Sequence, residues 1–338
     1  MDSVALTDHG VMYGVVEFYK KAVKEGVKPI IGNEMYLAPR TRFDKEARID
    51  QKAFHLLLLA KNKAGYENLI KLTTKAHLEG FYYKPRIDKE LLREHADGLI
   101  GLTACLSGEI PRAIIAGNIE KAEELTAEYR EILGPENFYL EVQHHPNLEY
   151  QEKVNQALIK LGKKLKISLV ATHDVHYLNP DDADAQDILM AVQTGAKTDD
   201  EGRLTMTGEN FSLQPPEQMI KWFSEIPEAI ENTQKIVEQC NFQLKLGEIQ
   251  LPHLKVPTGK TPEEYLKELC QRGLAQRYEN ITKEISDRLK YELGVIGKTG
   301  FASYFLIVQD FVNWSKNSGV IVGPGLNSGH REWQPGKF

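Results

Sequence analysis

Nothing in the chain approaches the roughly 20 consecutive apolar residues that span a bilayer, so no membrane helix is expected. The opening residues, Met1-Asp2-Ser3-Val4-Ala5-Leu6, carry neither a basic segment nor a long apolar one; no secretory leader is expected, and the cytoplasm is the default compartment. Cysteine is scarce: Cys105, Cys240 and Cys270 are an odd number spread far apart, which argues against a disulfide framework. Positive charge is not in excess either. A net charge of −6 excludes the strongly basic character of many small DNA-binding modules while leaving a local basic groove open. There is no P-loop, no dinucleotide fingerprint, and no Ser-His-Asp or Cys-His nucleophile arrangement. Gly323-x-Gly325 is too short a glycine pattern to carry meaning by itself. No internal repeat or low-complexity tract is present. What remains is an ordinary globular composition over 338 residues, enough for one large domain or a large one plus a smaller one.

The first ~195 residues alternate short aliphatic runs with amphipathic stretches, the pattern of an α/β protein. Val4-Ala5-Leu6-Thr7 reads as a strand, followed by a helix over 15–25. Pro29-Ile30-Ile31 and Met35-Tyr36-Leu37 read as two short strands. A continuous aliphatic run, 55–60, precedes a helix over 64–77, and a strand over 99–104 precedes helices over 110–116 and 119–133. Strands over 138–142 and 167–172 precede helices over 148–165 and 181–194. Near-continuous apolar strands between helices predict a mainly parallel sheet or barrel. After Gly195 the pattern becomes helical, with a linker near Pro252, Pro257 and Gly259. Thr261-Pro262-Glu263-Glu264 combines an N-cap, a first-turn proline and first-turn acids, which predicts a helix start.

The chemistry-bearing residues cluster at strand ends. Asp8-His9 follows the first strand, and Glu34 follows 29–32. Cys105 closes 99–104, His144-His145 follows 138–142 (with Glu141 inside it), and Asp174 and His176 follow 167–172. The carboxyl ends of parallel strands converge on one rim, so five distant segments would deliver nitrogen, oxygen and sulfur ligands to one place. That ligand mixture suits Zn²⁺, Mn²⁺ or Fe²⁺ better than Ca²⁺ or Mg²⁺ alone. Taken singly, each residue has a bland reading: Asp8-His9 as a turn and helix cap, Cys105 as a small buried hydrophobe. Five coincidences outweigh it. His55 begins a strand rather than ending one, and spacing alone leaves it an ordinary strand-edge histidine. His77, His95, His253 and His330 show no such placement. A metal pair at this rim would suit hydrolysis at phosphorus. Lys61, Lys63, Lys71 and Lys75 form a basic face read as solvated.

Thr7-Asp8-His9-Gly10, Gly32-x-Glu34, His55-Leu56-Leu57-Leu58-Leu59-Ala60, Leu102-Thr103-x-Cys105-Leu106-Ser107-Gly108 and Ala171-Thr172-x-Asp174-Val175-His176 together resemble the PHP (polymerase and histidinol phosphatase) domain. The version they resemble is that of the bacterial DNA polymerase III alpha subunits, which are C-family replicative polymerases. Gly300-Phe301-Ala302-Ser303-Tyr304-Phe305, Trp314 and Val322-Gly323-Pro324-Gly325 look like the opening of that family's palm. The resemblance implies an α/β fold, a distorted (β/α)₇ PHP barrel lacking its first strand, over residues 1–252. It implies the mostly helical start of a palm over 253–325 and a non-matching tail over 326–338. It also implies the metal ligands His9, Glu34, His55, Cys105, Asp174 and His176, with Asp8 and His145 as further candidates, and promotes His55 from its ambiguous position. Gly323 and Gly325 would belong to nucleotide binding. The implied cofactors are divalent metals (Zn, Mn or Fe) at the PHP site and Mg for the parent polymerase. The implied partners are DNA and, for a full-length protein, the sliding clamp, clamp loader and proofreading subunit, with no membrane.

In some relatives the PHP site is a 3′→5′ proofreading exonuclease; in others it has lost ligands and serves as a docking surface. The alternatives are a stand-alone PHP-type phosphatase and a non-catalytic docking module. Residues 261–325 argue against the first, and the retained ligands against the second. The family usually begins with a His-x-His strand, and continues from Gly-Pro-Gly into Arg-Gly-Ser; neither is present here, so a fragment is expected. The palm's paired catalytic aspartates are absent as well. Polymerisation needs carboxylates that hold two metals at the primer end, so the purified chain is expected to give no template-dependent primer extension. Extension in a standard primer–template assay would overturn that expectation.

Overall fold

A computed structural model describes residues 1–248, 252 and 254–323. It divides into two compact units, Met1–Leu244 and Lys245–Phe338. The Pro324, Gly325 and 326–338 expectations lie outside the described residues, as do His253 and His330.

The first unit is built on a curled, mixed, seven-stranded sheet, a half-barrel covered by helices. Its strands are β1 (Ser3–Leu6), β2 (Lys28–Leu37), β3 (Phe54–Ala60), β4 (Arg86–Ile87), β5 (Leu99–Leu102), β6 (Phe138–Gln143) and β7 (Leu169–Thr172). They run in the order β1-β2-β3-β5-β6-β7, with β4 also paired to β2. Four pairings are parallel, but β3 is antiparallel to both β2 and β5.

Three expectations about these strands need correction. The two short strands expected at 29–31 and 35–37 are one strand, β2. Gly32, which reads as a break, is there for close approach: a Cβ on it would lie 2.7 Å from the Leu58 carbonyl oxygen and 2.8 Å from Thr7 Cγ2. Glu34 therefore sits inside a strand rather than after one. The last strand starts at Leu169 rather than Ile167, because Lys166 turns left-handed to end the preceding helix and Ile167 N–H bonds the Gly162 carbonyl. Short β4 and the six-residue α3 (Lys89–Glu94) were not expected, being too brief to show periodicity.

Period-2 alternation sorts the sheet into two faces. Met35, Leu37, Leu56, Leu58, Leu99, Leu140, Val142 and Leu169 point outward into the main core. There they meet α1 (Val15–Lys24), α2 (Lys63–Leu78), α3, α4 (Glu109–Ile115), α5 (Ile119–Leu133) and α6 (Gln151–Leu165). The inner face divides along its length. Ile30, Leu59, Ile100, Leu102, Tyr139 and Val170 form a small apolar cluster at one end, closed by Ile236 and Cys240 at the end of α9 (Pro227–Gln239). Asn232 Nδ2 donates to the Leu169 carbonyl at 2.7 Å, Lys28 Nζ donates to the Val237 carbonyl at 2.6 Å, and Gln239 Nε2 donates to Tyr139 Oη at 3.0 Å, which seats that plug. The other end of the same face carries the polar residues. Two further helices, α7 (Ala183–Thr194) and α8 (Pro216–Trp222), complete the unit.

The second unit contains α10 (Pro262–Arg277), α11 (Lys283–Thr299) and α12 (Ala302–Asn317) around Leu266, Ala302 and Leu306. The expected helix start is present. Thr261 accepts from Glu264 N–H, and the Glu264 carboxylate accepts from Thr261 N–H, a reciprocal capping box. Gly323 lies at the end of the described residues in no regular element.

The long connection between β2 and β3 is held by Arg86. Its side chain is fully buried and its guanidinium donates to the carbonyls of Gly80 (3.0 Å), Asp50 (2.9 Å), Asp44 (2.8 Å) and Arg42 (3.3 Å). Burial pulls its pKa down, yet a guanidinium stays charged. Replacing Arg86 with Met would leave four buried carbonyls without a donor, at about 1 kcal/mol each net of relaxation. A loss of about 3 kcal/mol is expected in urea unfolding followed by the fluorescence of Trp222; an unchanged midpoint would show the carbonyls find water instead.

Candidate metal centre

Register brings the first ligands together. His9 bridges Glu34 in parallel fashion, and Tyr36 on β2 faces His55 on β3. Directly paired residues project to the same side of a sheet, so His9, Glu34, Tyr36 and His55 share the inner face. His9 Nε2 lies 3.6 Å from Glu34 Oε2, and His55 Nδ1 lies 2.7 Å from Glu34 Oε1. Ligand atoms of all three fall within 4.8 Å of one another. Because β3 runs against its neighbours, its first residues reach the rim where the parallel strands end. That places His55, which spacing could not.

Cys105 arrives on a tight turn after β5. Ala104 has φ 60°, and Ser107 O accepts from His55 N–H at 3.1 Å. A Cβ on Gly108 would sit 2.1 Å from the Thr103 carbonyl oxygen, so only glycine closes this turn. Cys105 Sγ ends 3.7 Å from His55 Nδ1. Beyond β7, Asp174 adopts φ 45° and His176 N–H bonds the Phe211 carbonyl at 2.9 Å. His176 Nε2 lies 3.2 Å from Asp174 Oδ1, and its ring centroid is 5.9 Å from that of His9. Among the described residues, His9, Glu34 and His55 alone form a group with mutually close ligand atoms; Cys105 adjoins it through His55, and the Asp174–His176 pair lies beside it through His9.

The further candidates lie differently. The Asp8 carboxylate is beside the start of α1, 3.2 Å from where a Gly14 Cβ would be, while its carbonyl accepts from Glu34 N–H. His145 is buried one layer behind the cluster, stacked on His173 at 4.7 Å and against Phe211. His173 was not singled out by the sequence reading, although it is part of the run Thr172-His173-Asp174-Val175-His176. Its ring nitrogens are buried and unbonded, and burial followed by the neighbouring His145 and His144 pushes it down to about 4. His144 instead stacks on Trp222 at 4.3 Å.

The electrostatics are those of a cation site. Glu34 and Glu141 are buried and Asp174 nearly so, yet among the described residues no lysine or arginine pairs with any of them. Glu141 accepts from Thr172 Oγ1 and from Gln143 Nε2, but its Oε2 has no partner. Burial, with Glu34 and Asp174 nearby, pushes Glu141 up to about 7. Burial and the same two carboxylates push the Cys105 thiol well up, so without a cation Sγ keeps its proton. Burial lowers His9, leaving a neutral imidazole. Burial also opposes charging His176, but the Asp174 carboxylate outweighs it and raises the pKa. Unpaired carboxylates, neutral imidazole and a thiol fit divalent metal ions, which would displace the thiol proton.

Comparison with known proteins agrees with this geometry. Residues 1–145 match the PHP domain family, and residues 264–330 match the family described as bacterial DNA polymerase III alpha NTPase domain. The chain is 44% identical over 332 residues to DNA polymerase III subunit alpha of Borreliella burgdorferi, covering 97% of this chain and 29% of that protein. It is 43% identical over 330 residues to the Treponema pallidum subunit, covering 97% and 28%. It is 44% identical over 346 residues to the Aquifex aeolicus subunit, covering 96% and 30%. The chain therefore spans less than a third of the length of these relatives. The PHP match ends before Asp174 and His176, which join the cluster through β7 and the loop after it.

Glu141 offers a test on the metal-free chain. Its folded-state pKa, about 7, lies above its ordinary 4.5. Its favourable contribution is therefore complete below about pH 4.5 and is lost as pH rises through 7. In EDTA, Glu141→Gln is expected to unfold at higher urea than the parent at pH 8, by about 2–3 kcal/mol, and to converge with it near pH 5. Parallel pH profiles for the two proteins would show that Glu141 is already ionised.

Proposed function

We propose, for a chain that belongs with the bacterial DNA polymerase III alpha subunits by its likeness to them over nearly its whole length, that the N-terminal unit is a metal-dependent phosphodiesterase acting at the 3′ end of a DNA strand. The observation that carries this reading is the group of His9, Glu34 and His55, with Cys105 beside His55 and the Asp174–His176 pair beside His9, around carboxylates that no lysine or arginine pairs among the described residues. In this reading those six residues hold divalent ions, with Zn²⁺, Mn²⁺ or Fe²⁺ suiting the mixed donor set. Bound ions would supply electrophilic polarisation at phosphorus and acidify water. The protein's own residues do the rest. Glu34 orients His9 and His55, one on each carboxylate oxygen. Asp174 fixes the His176 ring. Glu141, bonded to Thr172 and Gln143, sets the charge behind the cluster. Asp8 and His145 act from outside it, Asp8 by its carbonyl on Glu34 and His145 by packing on His173.

The full-length protein would be a DNA-directed DNA polymerase using Mg²⁺. Its partners would be DNA, the sliding clamp, the clamp loader and a proofreading subunit, and Gly323 and Gly325 would lie in its nucleotide-binding part. Within the present chain, the PHP part would extend to about residue 252 and the palm would begin at 253. No helix among the described residues is long and apolar enough to cross a membrane.

A 3′-labelled single-stranded oligonucleotide is expected to be shortened by the purified chain with Mn²⁺ or Zn²⁺, at a rate reduced about 100-fold or more in His176→Ala and His55→Ala. Shortening that survives His176→Ala would place the activity elsewhere. Stoichiometric metal without any shortening would leave a metal site and remove the nuclease reading.

A further inference from the structure

Beside the cluster, the surface carries a second chemistry. The connection between β2 and β3 and the turn at residues 80–84 are tied to one another by the Arg86 guanidinium, which bonds the carbonyls of Gly80, Arg42, Asp44 and Asp50. These two segments present aromatic rings to solvent: Phe43 is 56% exposed, Phe81 52% and Tyr83 64%. The turn is shaped to do so. Tyr83 has φ 59°, a left-handed conformation unfavourable for a bulky residue. It is held by Tyr82 N–H bonding the Lys84 carbonyl at 3.0 Å, by Gln51 Nε2 donating to Tyr83 Oη at 3.3 Å, and by Tyr82 packed under Arg86. Exposed cations accompany the rings. Arg48, Lys52 and Lys84 make no ion pair among the described residues, whereas Glu46 and Asp50 share Arg40 and the Asp44 carboxylate accepts from Thr41.

The same turn abuts the metal centre. Lys84 Nζ stands 5.5 Å from the centroid of the Tyr36 ring, whose own centroid is 5.3 Å from that of His55 and 5.9 Å from that of His9. Gly10, next to His9, is so close to Pro85 that a Cβ would lie 2.9 Å from Pro85 Cγ. Half-exposed rings in segments that also carry unpaired cations suit an unpaired nucleotide strand, with ring area for bases to stack on and charges for its phosphates; the Arg42 guanidinium lies 4.3 Å over the Phe43 ring, so stacking falls chiefly to Phe81 and Tyr83.

We propose that Phe43, Phe81 and Tyr83, with Arg48, Lys52 and Lys84, form a platform that binds single-stranded nucleic acid and leads its end past Tyr36 to the metal centre. The inference rests on the phosphodiesterase reading for what happens to that end, but not for the binding itself. Stacking on Phe81 and Tyr83 grips a strand without reading its sequence, and Lys84 at the rim holds the phosphate nearest the cluster. Duplex DNA, whose bases are not free to stack on the rings, would bind less tightly.

The experiment is fluorescence anisotropy of a labelled oligothymidine with the full chain in EDTA, where cleavage plays no part. The double variant Phe81→Ala, Tyr83→Leu is expected to weaken binding about tenfold or more, and Phe81→Trp, Tyr83→Trp to preserve it. Lys84→Ala is expected to lower the slope of log affinity against log salt by about one. If the Tyr83 variants melt early, Lys84→Glu tests the same surface with the turn's backbone unaltered, with a loss of at least tenfold expected. Unchanged affinity in a folded double variant, equal losses in the tryptophan pair, or no measurable oligothymidine binding by the folded parent would overturn the platform; the last result would point to protein docking instead. Binding that behaves as expected in a chain that never shortens DNA would defeat the nuclease reading alone. Shortening that is indifferent to Phe81 and Tyr83 would defeat the platform alone.

Discussion

Glu34, Glu141 and Asp174 sit at the mouth of a half-barrel with imidazoles for neighbours and no lysine or arginine to balance them. Charge in that setting must be met by protons or by cations, since an isolated buried carboxylate is too costly to leave ionised. In the metal-free chain Glu141 is drawn to about 7 and Cys105 keeps its thiol hydrogen, whereas at Asp174 burial is outweighed by His176, which holds that carboxyl below its ordinary value. Cations would use the same groups differently, and because they bind only where the strands are already assembled, every ion held would stabilise the fold as well as the site. The architecture around the mouth is arranged to keep this choice open.

That arrangement depends on strand direction. A sheet of purely parallel strands would offer only carboxyl ends to the rim. Reversing β3 brings its amino end there, and the antiparallel ladder between β2 and β3 fixes the register of Glu34, Tyr36 and His55 through backbone bonds rather than through side-chain contacts. The connection between β2 and β3 is correspondingly long, and Arg86 prevents it from becoming loose by taking four of its and its neighbour's carbonyls. The arginine that orders this loop therefore also sets the surface beside the cluster.

Much of this was legible in the residues. The strand-end placement of His9, Cys105, Asp174 and His176 was legible because β1, β5 and β7 each belong to a parallel pair, although β5 stops at Leu102, short of the expected 99–104. The helix start at Thr261 was legible because a capping box is a local chemical signal. Glu34 was read as following a strand and lies inside one: Gly32 looked like a break, and only the closeness of the Leu58 backbone shows why glycine stands there. His55 needed the family resemblance, since no local signal reports that a strand runs backwards. His173 was overlooked because its role is packing on His145, which depends on two distant strands lying side by side. Arg86 offered nothing in sequence, for a buried arginine that bonds only carbonyls has no charged partner to look for.

The plug formed by α9 has a consequence for how the domain comes into being. Every proposed ligand lies before residue 177, and the PHP match ends at 145, yet the inner apolar cluster of Ile30, Leu59, Ile100, Leu102, Tyr139 and Val170 is closed by Ile236 and Cys240. During synthesis the whole proposed ligand set leaves the ribosome some sixty residues ahead of the residues that seal the cavity beneath it. Until Pro227–Gln239 emerges, the growing chain holds the carboxylate and imidazole mouth on an open hydrophobic floor. The last helix of the unit, which contributes no ligand, is thus the one that turns a set of strands into a finished vessel.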